Sequence, residues 1–205
     1  MKNDAMIPAA ERSGGGSSGR PQAARVTRAL LDSTLQEIAA KGYEKTTIAA
    51  IAERARTSKQ AIYRRWPDKA HLVADALRDA LAQANPAPPQ RGSVAQDLKV
   101  CLSNTVRALQ ETALGAAIRA LVPLRQSPEL KPVLDEAEDA RRLLLRQIFI
   151  ATPFEAEMET RIDLLLGHIY FRLHMRGLTV TERDIDAAIQ LVLGLTAPRD
   201  PAHRS

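Results

Sequence analysis

Between Arg54 and Lys69 the chain places Arg54, Arg56, Lys59, Arg64, Arg65 and Lys69 against a single acid, Asp68. Hydroxyl, amide and phenol groups (Thr57, Ser58, Gln60, Tyr63) are interleaved with these cations. Such a set suits recognition of a polyanion rather than bond chemistry, because each phosphate neutralised by Lys or Arg releases condensed counterions. A carboxamide such as Gln60 can pair with adenine, and Arg64 or Lys59 with guanine, while Ser58, Tyr63 and Lys69 suit phosphate. The pairing of side chain with base is left open by the sequence. The cluster is also local. The formal net charge is +5 and the pI about 9.7. Residues 20–83 hold twelve basic and seven acidic side chains, whereas residues 1–19 hold two of each and residues 84–205 fifteen of each. The charge alone also fits a solvated basic face.

The elements that position this cluster read as helices. After Pro21, Val26, Leu30, Leu31, Leu35 and Ile38 recur at near-helical spacing up to Lys41-Gly42, where glycine suits a left-handed cap. A second helix starts at Thr46-Thr47, either hydroxyl serving as N-cap, and buries Ile48, Ile51, Ala52 and Ala55. A third short helix runs from its cap Ser58 to about Arg65, and Trp66-Pro67 stops it. On it Lys59, Gln60, Tyr63 and Arg64 share one side by i, i+3 and i+4 spacing, and Ile62 points to the core. A fourth helix spans about 68–83. Two short helices joined by a tight turn, the second basic, make a helix-turn-helix, in which the second helix enters the major groove.

The run Gly42-Tyr43-Glu44-Lys45-Thr46-Thr47-Ile48-Ala49-Ala50-Ile51-Ala52, followed by Ser58-Lys59-Gln60-Ala61-Ile62-Tyr63-Arg64-Arg65-Trp66-Pro67-Asp68-Lys69, resembles the DNA-binding domain of TetR-family transcriptional regulators. The resemblance covers about residues 25–81. It implies backbone contacts from Thr47, Ser58, Lys59, Tyr63 and Lys69. The expected DNA-contacting set is Thr47, Arg56, Thr57, Ser58, Lys59, Gln60, Ala61, Tyr63, Arg64 and Lys69. One position departs from the family pattern: Arg56 stands where the turn usually has glycine, and a non-glycine residue in a left-handed turn costs roughly 1–2 kcal/mol.

The expected organisation is all-α: a flexible tail over 1–20, a helix-turn-helix domain over 21–84 with its motif at about 47–66, and a ligand-binding and dimerisation domain over 85–205. The boundary is the stretch Asn85-Pro86-Ala87-Pro88-Pro89-Gln90-Arg91-Gly92, and the tail is marked by Ser13-Gly14-Gly15-Gly16-Ser17-Ser18-Gly19. Beyond the boundary, helices read at about 93–111, 113–124, 129–151, 154–176 and 181–195. The helix at 154–176 is apolar nearly all round, which requires burial on more than one side. It and the last helix, which starts at a Thr181 cap, resemble the family's dimerisation pair. The expected interface is Ile162, Leu165, Ile169, Leu173, Ile185, Ile189 and Val192. A dimer matches a palindromic double-stranded operator with half-sites ~34–36 Å, or a multiple, apart. The alternative is a self-contained monomeric core.

The resemblance further implies a small-molecule effector held in the C-terminal part. Cys101, Met158, His168 and Tyr170 are candidate lining residues, though they fit plain core equally well. A cavity above ~300 Å³ favours a ligand-released repressor, and a solid core a constitutive DNA binder. The acidic run at 135–139 reads as a solvated helix face. His168 and His174, six apart, do not form an i, i+4 metal pair, and no metal or other cofactor is expected. No Ser-His-Asp signal or phosphate-cradling glycine loop supports the remaining alternative, a small helical enzyme. One cysteine excludes an intrachain disulfide, no apolar run reaches ~18 residues, and no secretory signal is present. The expected setting is cytoplasmic, with no membrane partner.

Overall fold

The computed structural model describes residues 19–87, 90 and 92–194. These residues form helices and connecting turns, with no strand among them. No helix among them is long and apolar enough to cross a membrane. Most of the expected tail and the 195–205 end lie outside the described residues.

Local capping chemistry sets the first four helices. α1 (Gly19–Lys41) carries Pro21 in its first turn, where a missing N–H costs nothing, and ends at Gly42 with φ 78°. α2 (Ile48–Arg54) starts at Thr47, whose side chain accepts from Ala50 N at 3.1 Å. The neighbouring hydroxyl of Thr46 instead turns inward and donates to Gly42 O at 2.7 Å, so Thr47 is the cap. α3 (Lys59–Tyr63) starts at Ser58, which accepts from Ala61 N at 3.2 Å. α4 (Lys69–Ala84) starts at Asp68, which accepts from His71 N at 2.9 Å.

The C-terminal helices are α5 (Val94–Glu111), α6 (Ala113–Leu121), α7 (Lys131–Phe149), α8 (Met158–Tyr170) and α9 (Glu182–Val192). A 3₁₀ turn over Val122–Leu124 extends α6, and a π-turn over Phe171–Met175 extends α8. Thr112 alone separates α5 from α6, which forces a close crossing: a Cβ built on Gly115 would lie 1.9 Å from Leu109 O. α8 starts four residues later than its apolar pattern suggests. Residues 150–157 form an irregular loop with Ala151 (φ 59°) and Glu157 (φ 58°) in the left-handed region, and Glu157 provides no side-chain cap.

One contiguous core joins the two halves. α1 packs on α6 as well as on α2 and α4, and α4 packs on α5 and α7. Ile51, Ile62 and Trp66 from the N-terminal half sit in the same buried cluster as Leu98, Phe149 and Ile162.

The expected interface residues need correction. Ile162, Leu165, Ile169, Ile185 and Ile189 are buried in the chain's own core, and Leu173 and Val192 are half-buried against it. α8 packs on α7 and α9 through that face. Apolar residues left outside include Leu164 (58% exposed), Phe171 (53%), Met175 (74%) and, on α9, Leu191 (70%). An all-round apolar helix offers two faces, and the sequence pattern does not say which one folds inward.

Candidate nucleic-acid interface

Of the six cations between Arg54 and Lys69, three are occupied by the fold. Arg54 Nε donates to Glu37 at 2.7 Å, tying α2 to α1, and Lys41 reaches the same buried carboxylate at 2.8 Å. These two cations, Lys41 first, hold the Glu37 carboxyl below the usual range despite its burial. Arg65 donates to Ala61 O at 2.7 Å. Lys69 Nζ donates to the carbonyls of Tyr43 (3.0 Å) and Thr46 (3.2 Å), 3.9 Å above the Tyr43 ring centroid. Lys69 is therefore a clasp on the turn that precedes α2, not a cation left free for phosphate.

Arg56, Lys59 and Arg64 are exposed and have no acidic partner among the described residues. They flank exposed Ser58, Gln60 and Tyr63, the last 57% exposed despite its aromatic ring. Thr47 is exposed at the start of α2, and Thr57 is half-buried in the turn. Ser58 and Thr47 accept their cap bonds through oxygen, so both hydroxyl hydrogens remain available to an external acceptor. Ala61 departs from the expected set: it is buried beside Ile62, with its N–H taken by Ser58.

The turn owes its shape to two backbone bonds. Arg56 N donates to Glu53 O at 3.0 Å and Thr57 N to Ala52 O at 2.9 Å, the paired closure that requires a left-handed residue between them. Arg56 supplies it at φ 52°, and this strained position holds its guanidinium on the exposed side. Behind α3, buried Trp66 donates to Asp75 at 2.7 Å and fastens the motif to α4. Tyr43 provides a long-range tie that its sequence position did not reveal: its hydroxyl donates to Glu129, ahead of α7, and burial and that carboxylate push its pKa up.

The far half of α4 borders three cavities, one of them about 420 Å³ and shared with α1, α5 and α6; the other two reach α7. The larger of these two, about 580 Å³, lies between α4, α6, α7 and the π-turn and is lined mainly by apolar side chains, among them Leu77, Leu81, Ile118 and Phe171. Tyr170 and His174 also face it, their rings stacked 5.4 Å apart. The smaller, about 260 Å³, lies between α4, α5, α7 and α8 and includes Cys101. Of the four candidate lining residues, Tyr170 and Cys101 thus border cavities. Met158 and His168 border neither of these two, and Met158 packs against the core. The acidic run at 135–139 is only partly a solvated face, because Glu138 is held by Arg141.

Residues 30–76 match the family model for bacterial regulatory proteins of the tetR family. The chain is 32% identical over 172 residues to the uncharacterized HTH-type transcriptional regulator Rv1556 of Mycobacterium tuberculosis, covering 80% of this chain and 84% of that one. It is 33% identical over 88 residues to the HTH-type transcriptional repressor KstR of Rhodococcus jostii, 42% of this chain and 41% of that one. In fold it is similar to a TetR transcriptional regulator from Agrobacterium tumefaciens, with a TM-score of 0.63 at 20% identity, covering 83% of this chain and 93% of that one. With its helix-turn-helix inside the matched segment and likeness to a relative running over most of its length, the chain belongs to the tetR family of bacterial regulatory proteins, and it is a DNA-binding regulator of transcription, not an enzyme.

Proposed function

We propose that the protein is a repressor that binds a palindromic operator as a homodimer and leaves it when a small molecule occupies the C-terminal half. In this reading residues 21–84 grip DNA through Arg56, Ser58, Lys59, Gln60, Tyr63, Arg64 and Thr47, and residues 85–205 dimerise and hold the ligand. The observation that carries it is the double duty of α4. Lys69 and Asp75 toward one end hold the helix-turn-helix, while Leu77 and Leu81 toward the other line the 580 Å³ cavity. A 16-residue helix spans about 24 Å and moves nearly as one piece, so a ligand that shifts its far end re-aims α3. The cavity lies within the ~300–1,000 Å³ typical of pockets for drug-sized ligands, which favours control over constitutive binding. Repression is supported by the likeness to a named repressor. The dimer is supported by the exposed Leu164, Phe171 and Leu191, which align α8 and α9 for a bundle with a second copy.

Selection of bound duplexes from a random pool, followed by a screen for molecules that release the selected site, tests the proposal. Linkage requires a releasing ligand to bind the operator complex more weakly than the free protein, by the same factor that it weakens DNA binding. Equal affinity for both states, for every ligand found, leaves a constitutive binder.

A further inference from the structure

The smaller cavity is walled by leucine and alanine side chains and is broken by two arginines, Arg78 on α4 and Arg141 on α7. The Arg141 side chain is only 9% exposed. One terminal nitrogen donates to the Tyr170 hydroxyl at 2.7 Å and the other to Glu138, while its Nε–H is buried with no acceptor. Arg78 shows the same pattern: it pairs through a terminal nitrogen with Asp75 at 3.0 Å and with Glu136 at 3.7 Å, and its buried Nε–H has no acceptor.

The other polar groups here are already used. Asn85 donates to Cys101 O and to Thr105, and Thr105 donates to Cys101 O. Burial pushes the Cys101 thiol up to about 12, so it stays neutral, and no acid among the described residues lines the cavity. Two unsatisfied guanidinium N–H groups in an apolar cleft carry a desolvation cost that an anionic acceptor removes. Glu138 and Asp75 already offset part of the arginine charge, so a monoanion matches better than a phosphate dianion.

We propose that this cleft binds a small organic carboxylate, its charged group held by Arg141 and Arg78 and its hydrocarbon body against Leu81, Leu144, Leu145 and Leu166. The volume of about 260 Å³ is just below that of pockets for drug-sized ligands and restricts the occupant to a small acid, medium-chain or monocyclic aromatic. The cleft is distinct from the 580 Å³ cavity but borders the same helix through Arg78 and Leu81, and it rests on the proposed repressor reading for any regulatory meaning.

Calorimetric titration of the full chain with octanoate and benzoate, against octan-1-ol and benzyl alcohol, tests it. At least one acid should bind about tenfold to a hundredfold more tightly than its alcohol, as expected of a charge-assisted bond. Arg78→Gln and Arg141→Gln should each bring acid affinity down to that of the matching alcohol. If Arg141→Gln does not fold, Arg78→Gln alone decides. No acid binding below about 1 mM, equal binding of acid and alcohol, or a preference that survives the substitutions overturns the site. Operator binding is measured separately. Acid binding that leaves operator affinity unchanged keeps the site and refutes the control reading, whereas release by neutral ligands alone does the reverse.

Discussion

Arg56 combines strain and charge in one residue, and the two separate experimentally. Arg56→Gly should raise thermal stability by roughly 1 kcal/mol, because glycine takes the left-handed conformation freely. The same change removes an unpaired cation and should lower DNA affinity, with the dependence of log K on log salt becoming shallower by about 0.9 if one phosphate contact is lost. Thermal unfolding and fluorescence anisotropy across a salt series check both halves. Lys59 and Lys69 make a contrasting pair. Lys59→Ala should weaken operator binding with little change in melting temperature, since its ammonium has no acidic partner among the described residues. Lys69→Ala should cost about 1–2 kcal/mol of stability, because two carbonyls and the Tyr43 ring lose their cation. Equal melting temperatures for the two variants would refute the clasp. The six cations looked alike in sequence. Only the fold, through Glu37 and the Tyr43 turn, separates tethers from free charges.

At the scale of elements, capping was the most legible feature, because it depends on residues a few positions apart. Thr47, Ser58, Asp68 and Thr181 cap as their types suggest, and Thr181 forms a full capping box with Asp184. The late start of α8 was not legible, since apolar periodicity continues across residues 154–157 while the backbone does not. The inward face of α8 depends on contacts with α7 and α9, which no local pattern encodes. Gly115 is a comparable case. Its need for glycine comes from the backbone of Leu109 across the α5–α6 corner, so Gly115→Ala should destabilise by at least the ~1–3 kcal/mol typical of overpacking, read from denaturant unfolding. The α7–α8 clamp should show in acid. Arg146 and Arg142 hold the Glu159 carboxyl down to about 2 from its ordinary 4.5. Its contribution is therefore present above about pH 4.5 and is lost as pH falls toward 2. Glu159→Gln should flatten that part of the stability profile. The effect should shrink in high salt, because the pair is half-exposed.

For the whole molecule, the all-helical fold followed from apolar spacing along the chain and the family from the 42–69 motif, while the cavities did not, because they form between helices distant in sequence. The exposed apolar face of α8 and α9 gives the clearest prediction at this scale. Leu191→Glu should yield monomers by analytical ultracentrifugation with an unchanged monomer fold, and operator affinity should fall because each half-site loses its tethered partner. Ile185→Ala should instead destabilise the fold by about 2–5 kcal/mol, because its side chain is buried in the chain's own core. A dimeric Leu191→Glu protein would refute that interface.

The same outward leucines bear on how steeply a promoter would respond to the amount of regulator made. If they hold two copies together reversibly, then below the dimer dissociation constant the paired form accumulates with the square of the chain concentration. A twofold change in synthesis then becomes a roughly fourfold change in the species that can occupy both half-sites. A tighter α8–α9 contact would turn this threshold into a graded response. Leu164 and Leu191, on helices outside the helix-turn-helix, would thus set how strongly fluctuations in copy number are transmitted to the regulated gene.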